Sequence, residues 1–261
     1  MRVVCRLLLV ALAVLAAQPL LAAQLVKVGA YHFPPYVIKP EADAPQGLLP
    51  ELLTALNNQQ SDYKFVLVPT SVPRRFRDFQ NARYDLIMFE SPTWGWQNTA
   101  HETFDLQVQD AEVYVAKAIA GRGQGYFSDL SGKRLALFSG YHYGFAQFNA
   151  DPEYLAKQFN AVLTYSHDSN LLMVLRERAD LTVVTRSYLQ DYLLRYPEQR
   201  AQMLVSDRVD QVYRHKALLR PNAPISVENL RRVLLQLRDG GKLSALYRRY
   251  DLTQSRKVVR P

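Results

Sequence analysis

The chain reads as an α/β protein of two lobes, each a mainly parallel sheet flanked by helices, with a hinge of two crossings. Strand-like and helix-like periodicities alternate along it, the pattern of sheets built from βαβ units. Its character changes after Ala116, where Gly121, Gly123 and Gly125 punctuate a loop too irregular for a phosphate-binding fingerprint. A second α/β block then follows, and extended structure resumes near the C-terminus. Residues 24–116 and 208–261 therefore make one discontinuous lobe, with 117–207 inserted as the other.

The elements follow in order. Leu25 to Ala30 is a first strand, ending in the aromatic turn His32-Phe33-Pro34-Pro35-Tyr36. Gly47 closes a polar loop and Pro50 suits a first helical turn. Leu48, Leu49, Leu52, Leu53 and Leu56 then mark one apolar helical face. Tyr63 to Val68 alternates as a strand. Pro73 opens a helix that turns Phe76 and Phe79 inward, and Tyr84 to Phe89 is the third strand. Val113 to Ala116 is a further strand. In the second block Arg134 to Phe138, Val162 to Tyr165 and Leu181 to Val184 are strands, with a helix face at Leu171, Leu172, Val174 and Leu175. Gln211 to Leu219 is extended. Ser226 starts a helix through Leu230, Val233, Leu234 and Leu237, which Gly240 and Gly241 stop before a short helix at Leu243 to Tyr250.

The N-terminus carries an export signature. Arg2 and Arg6 precede the uncharged run Leu7 to Ala17, Pro19 breaks it, and Ala22 and Ala23 follow. The run is shorter than the roughly 20 apolar residues of a membrane-spanning helix, so cleavage after Ala23 and a periplasmic location are expected. An uncleaved anchor is the alternative. Cys5, the only cysteine, lies ahead of the apolar run, which argues against a lipoprotein and leaves the mature chain without a disulfide. The formal net charge falls from +8 to +6 when Arg2 and Arg6 leave. Much of the excess sits in Arg248, Arg249, Arg256, Lys257 and Arg260, read as a solvated tail. No basic-aromatic nucleic-acid motif and no zinc-like spacing is present, so neither nucleic acid nor a metal or other cofactor is expected. A small-molecule ligand is.

The turn Phe33-Pro34-Pro35-Tyr36, the step Gly47 to Glu51-Leu52, Ala82-Arg83-Tyr84-Asp85-Leu86-Ile87, Asp129 to Arg134, Arg178-Ala179-Asp180 and Leu237 to Leu243 occur in the order seen in one family. Over nearly all of the mature length the chain resembles the family 3 extracellular solute-binding proteins, best known as periplasmic amino-acid receptors of ABC transporters. The resemblance implies the two-lobed type II periplasmic-binding-protein fold, a monomer, and a ligand held in the cleft. It makes Phe33 the aromatic that packs on that ligand, worth about 0.5–1.5 kcal/mol beyond area burial, with Tyr36 beside it. It also implies a membrane permease complex or a sensor receptor as partner.

Departures from the family define the expected site. Its amino-acid receptors hold the ligand carboxylate with an Arg after the third strand; here Phe89 to Gln97 contains none. They hold the ammonium with an Asp, where this chain has Thr185. Buried charged groups need such partners, so a zwitterionic amino acid is not expected in the usual pose. Glu90, with Trp94 beside it, suits a cation, and Arg74, chosen over Arg75, suits an anion. Ser139 to Gly144 places backbone N–H groups at a strand-to-helix junction, where Tyr141 and His142 can add hydrogen bonds. His101, His167 and His215 read as surface residues. Binding for uptake or sensing is the leading function. Some relatives are dehydratases on cyclic amino-acid precursors, so Glu90 as a proton donor is one alternative, and a solute-free signalling module is another.

Overall fold

A computed structural model describes residues 22–254. The expected signal segment up to Leu21, with Cys5, and the basic residues Arg256, Lys257 and Arg260 lie outside the described residues. Strands β1 (Gln24–Ala30), β2 (Tyr63–Pro69) and β3 (Leu86–Glu90) build lobe 1, and β5 (Leu135–Phe138), β6 (Ala161–Thr164) and β7 (Leu181–Thr185) build lobe 2. Two long strands, β4 (Glu102–Lys117) and β8 (Met203–Leu219), run through both. The sheet order is β2-β1-β3-β8-β4-β7-β5-β6, with β9 (Thr253–Gln254) beside β4.

The strands of each βαβ unit pair in parallel, β1 with β2 and β3, and β5 with β6 and β7. The expectation of mainly parallel sheets omits the hinge, where β4 and β8 form an antiparallel ladder with register shifts at Asp105/Gln109, Glu112/Val113 and Val113/Val115. Glu112–Val115 also pair with Thr182–Thr185 of β7, so β4 carries the hinge ladder directly onto the lobe 2 strands. Bulges bend and twist a ribbon locally, which suits a ladder that joins two bodies.

Helices α1 (Leu48–Gln59) and α6 (Val227–Asp239) show why lobe 1 is stable. All five leucines of the α1 stripe are buried, as are Leu230, Val233, Leu234 and Leu237 of α6. Burial contributes up to about 1.5–3 kcal/mol for each such side chain. Ser226 caps α6, its side chain accepting from Asn229 N. Helix α2 (Arg75–Gln80) follows β2, and α7 (Lys242–Arg249) follows α6. Lobe 2 carries α3 (Pro152–Phe159), α4 (His167–Leu175) and α5 (Arg186–Arg195).

Two aspartates lock strand starts. Lys27 N of β1 donates to Asp85 Oδ2 at 2.9 Å, and Arg220 lies 2.9 Å from Oδ1. In lobe 2, Arg134 N, just before β5, donates to Asp180 Oδ2 at 2.8 Å. Each carboxylate ties the start of its own strand to the neighbour it pairs with.

Candidate functional site

Lobe 1 presents its aromatic turn because α1 holds it. Leu48 N and Leu49 N, free donors at the helix start, bond Pro35 O at 3.2 Å and Tyr36 O at 2.8 Å. Gly47 has φ +108°, and a Cβ there would sit 2.7 Å from both carbonyl oxygens, so only glycine allows the approach. Reciprocal bonds between Phe33 and Val37, both 2.9 Å, close the turn. Phe33 thereby stacks near Tyr31 (5.8 Å between centroids) and meets Trp94 edge-on at 5.9 Å.

A narrow cavity of about 20 Å³, room for about one water, lies between the lobes. Tyr31, Phe33, Val72, Arg75 and Trp94 line it from lobe 1. Gly140, Tyr141 and His142 line it from lobe 2, and Glu112 from the hinge. Gly140 sits at φ +82°, and a Cβ there would stand 2.6 Å from Val72 Cγ1, so the two walls touch through a position without a side chain.

Gln211 ties these walls together. Its Nε2 donates to Glu112 Oε2 (2.6 Å) and His142 O (2.7 Å), and its Oε1 accepts from Trp94 Nε1 at 3.3 Å. Glu112 and Gln211 are direct partners in the β4/β8 ladder. One hinge amide therefore bonds both lobes at once.

Of the expected residues, Phe33, Trp94, Tyr141 and His142 line this cavity, and four others lie elsewhere. Arg74 is exposed, its Nε bonded to Ser71 Oγ at 3.1 Å. Its neighbour Arg75 faces the cleft, donating to Val72 O (2.8 Å) and Trp94 O (3.1 Å). One residue on a helix is about 100° of rotation, enough to exchange outside for inside. Glu90 is fully buried but does not line the cavity. The β3–β8 register shifts between Ile87 and Glu90, with Phe89 at φ 63°. At that bulge the carboxylate lies within lobe 1, accepting from Trp96 Nε1 at 2.8 Å with Oε1 3.7 Å from Arg75 Nε. Burial raises its pKa, opposed by Arg75 and Trp96. Glu90 backs Arg75 from within lobe 1.

Tyr36 is fully buried at the hinge. Its hydroxyl donates to Asp110 Oδ2 at 2.7 Å and lies 2.7 Å from His215 Nε2, while Ser187 Oγ of lobe 2 donates to the same Asp110 oxygen at 2.5 Å. Thr185 caps α5, accepting from Tyr188 N. Of the N–H groups in the Ser139 to Gly144 stretch, Gly144 N donates to Asp210 Oδ2 at 2.5 Å, and the adjoining Phe145 N donates to Oδ1 at 2.8 Å. His167 and His215 are buried, not surface, and burial lowers each to a pKa of about 3. Burial and then Arg75 lower His142 to about 4.

Arg75, Glu112 and Gln211 escape a sequence reading. For Arg75 a signal existed, since Phe79 faces inward and lies four residues on, along the same helical face. The charged and polar residues of β4 and β8 resemble a solvent face, and nothing in the alternation marks them as cavity walls. Among the described residues no group of His, Cys, Asp and Glu could hold a metal ion, and no helix is long and apolar enough to cross a membrane.

A family model described as ABC transporter, phosphonate, periplasmic substrate-binding protein matches residues 36–259. The resemblance to periplasmic substrate-binding proteins of ABC transporters is thus upheld, while the matching family model is the phosphonate one and not the amino-acid one. Comparison with curated protein sequences gives no match. Among solved structures, the substrate-binding protein of an amino acid ABC transporter is 17% identical, covers 87% of this chain and 98% of its own, and superposes with a TM-score of 0.64. The GluR0 ligand-binding core from Nostoc punctiforme, in complex with L-glutamate, is 16% identical over 86% of this chain and 98% of its own, TM-score 0.65. A histidine kinase sensor domain similar to periplasmic binding proteins is 17% identical over 88% and 96%, TM-score 0.63. These likenesses establish the two-lobed fold.

Proposed function

Because the chain belongs to the family of periplasmic substrate-binding proteins of phosphonate ABC transporters, we propose that it captures a compact organic acid, a phosphonate or a carboxylate, between its lobes. The observation that carries this reading is Arg75, a buried guanidinium lining an interlobe cavity otherwise walled on its lobe 1 side by Tyr31, Phe33, Val72 and Trp94. Guanidinium offers paired donors that match phosphonate and carboxylate oxygens. Two of its N–H groups already bond Val72 O and Trp94 O, which fixes its plane. Phe33, Trp94, Tyr141 and His142 enclose the body of the solute, while Tyr36, Glu90 and Thr185 support that wall and the hinge. The affinity comes from enclosure and implies no catalysis.

In this reading residues 1–23 direct export and are removed, and the monomeric mature chain hands its solute to a permease in the membrane. Thermal-shift measurement of the mature chain against small phosphonates and carboxylates tests it. A solute at 100 times its Kd should stabilise the fold by about 2.7 kcal/mol, and Arg75→Lys should weaken every acid that binds. Acids that bind Arg75→Lys as tightly as wild type would remove Arg75 from the site. The likeness to a kinase sensor domain favours delivery to a membrane sensor as a second reading. Purified transporter ATPase stimulated by the loaded protein would decide for uptake.

A further inference from the structure

We infer that Glu112 binds a cationic group, so that the solute is a compact zwitterion with its amine against the hinge strand and its acid against Arg75. This rests on the cleft reading above and names its second contact. Glu112 lines the same cavity and is 3% exposed. Its one hydrogen bond from a side chain comes from Gln211. Among the described residues no Lys, Arg or His lies within ion-pair distance of it.

The neighbouring carboxylates differ. Asp110 accepts from Tyr36, Ser187 and Ala111 N, and Asp210 from Tyr114, Gly144 N and Phe145 N. Those two are saturated inside the protein; Glu112 faces the cavity with acceptor capacity unused. A second group in the same wall is incomplete: Tyr141 Oη is buried without a hydrogen-bond partner. The rings of Phe33 and Trp94 complete a lining that suits an ammonium. With the walls this close the cavity of about 20 Å³ holds about one water, so the lobes must part to admit the solute and close less far around it.

The protonation chemistry of the cleft supports the assignment. Burial, and then Asp210, pushes Glu112 well above the usual carboxylate range, which favours its protonated form. An incoming ammonium makes the ionised form favourable. The Glu112 carboxylic acid then loses its proton to solvent, and the carboxylate left behind pairs with the ammonium, which keeps all of its own protons. The groups around it are Asp210, Gln211 and Tyr213 of β8, Asp110 of β4, Tyr141, His142 and Tyr143 of the loop after β5, and Arg75 of α2. His142, lowered to about 4, stays neutral above pH 5. Glu112 is therefore the group whose proton count changes on binding.

Isothermal titration of the mature chain, in buffers of different ionisation heat, tests this with matched pairs: 4-aminobutyrate against butyrate, and 3-aminopropylphosphonate against propylphosphonate. The amine should bind at least about tenfold tighter than its partner, release protons where Glu112 is protonated beforehand, and weaken by up to about tenfold per unit as pH falls below the Glu112 pKa. Glu112→Gln should bind both members alike and release none. The proton count needs only the wild type, so it stands even if the variant does not fold. Equal binding within each pair, or an amine preference that Glu112→Gln leaves intact, overturns the inference and leaves Arg75 as the anion site. Silence from every pair counts against both.

Discussion

Replacing Gly140 by Ala should hold the lobes apart. The added Cβ would stand 2.6 Å from Val72 Cγ1, with Val72 Cβ next at 3.6 Å, and the backbone keeps φ +82°. The φ strain costs about 1–2 kcal/mol in any state of the cleft, so it lowers the melting temperature and leaves affinity alone. The clash exists only where the two walls meet. Overpacking of this kind costs about 1–3 kcal/mol, which weakens binding about 5- to 150-fold. Val72 is β-branched and cannot easily turn its methyl away, so Val72→Ala in the same chain should restore most of the affinity but not the lost stability. Small-angle scattering of the unliganded proteins, with titration of whichever acid the thermal-shift panel returns, separates the two terms. Unchanged affinity in Gly140→Ala, or a double variant no tighter than the single, would refute a closure governed by this contact.

Further expectations concern support and pH. Arg75→Met should cost about 3 kcal/mol in urea denaturation at neutral pH, because it leaves Glu90 buried without its cation. The loss should shrink in acid, where Glu90 is protonated in folded and unfolded states alike, and Arg75→Met/Glu90→Gln should recover most of it; Arg74→Met should stay within about 0.5 kcal/mol. Thr185→Ala should remove a helix cap at a cost of about 1 kcal/mol without changing affinity, as melting and titration together would show. His167 has both ring nitrogens without partners and a pKa lowered to about 3. Below about pH 6.5 the unfolded chain takes up a proton that the folded chain refuses, so stability falls with pH by up to about 1.4 kcal/mol per unit. His167→Phe should flatten that slope between pH 6 and 4; an unaltered slope would mean the ring is charged or solvated in the fold.

Lobe 1 was legible where one periodicity dominates. The leucine stripe of α1 and the Leu230–Leu237 face of α6 each carry apolar residues at helical spacing, and all of those are buried. Legibility failed where polar residues do structural work. Strands β4 and β8 extend far beyond their apolar segments because each supplies hydrogen bonds to the other, and their bulges break the two-residue alternation. Helix α3 spans eight residues and shows only a short face of Tyr154, Leu155 and Phe159, of which Leu155 is fully buried, so it was not read. The aromatic turn could be seen as part of the cleft, yet which of its rings faces the cavity depends on the closure at Phe33–Val37, which turns Phe33 to the cavity and Tyr36 to the hinge. Glu90, expected at the cavity, lies within lobe 1, and the carboxylate that lines the cavity beside Phe33 and Trp94 is Glu112 of β4.

Asp210 sits on the hinge strand with its carboxylate against Gly144 N and Phe145 N. Free N–H pairs of this sort attract whatever inorganic anion is most abundant, sulfate and phosphate included. By filling the position with its own carboxylate, the chain closes those two N–H groups to such competitors. The same bonds moor the lobe 2 loop to a strand that traverses both halves, so a guest that shifts the loop also pulls on the backbone joining them.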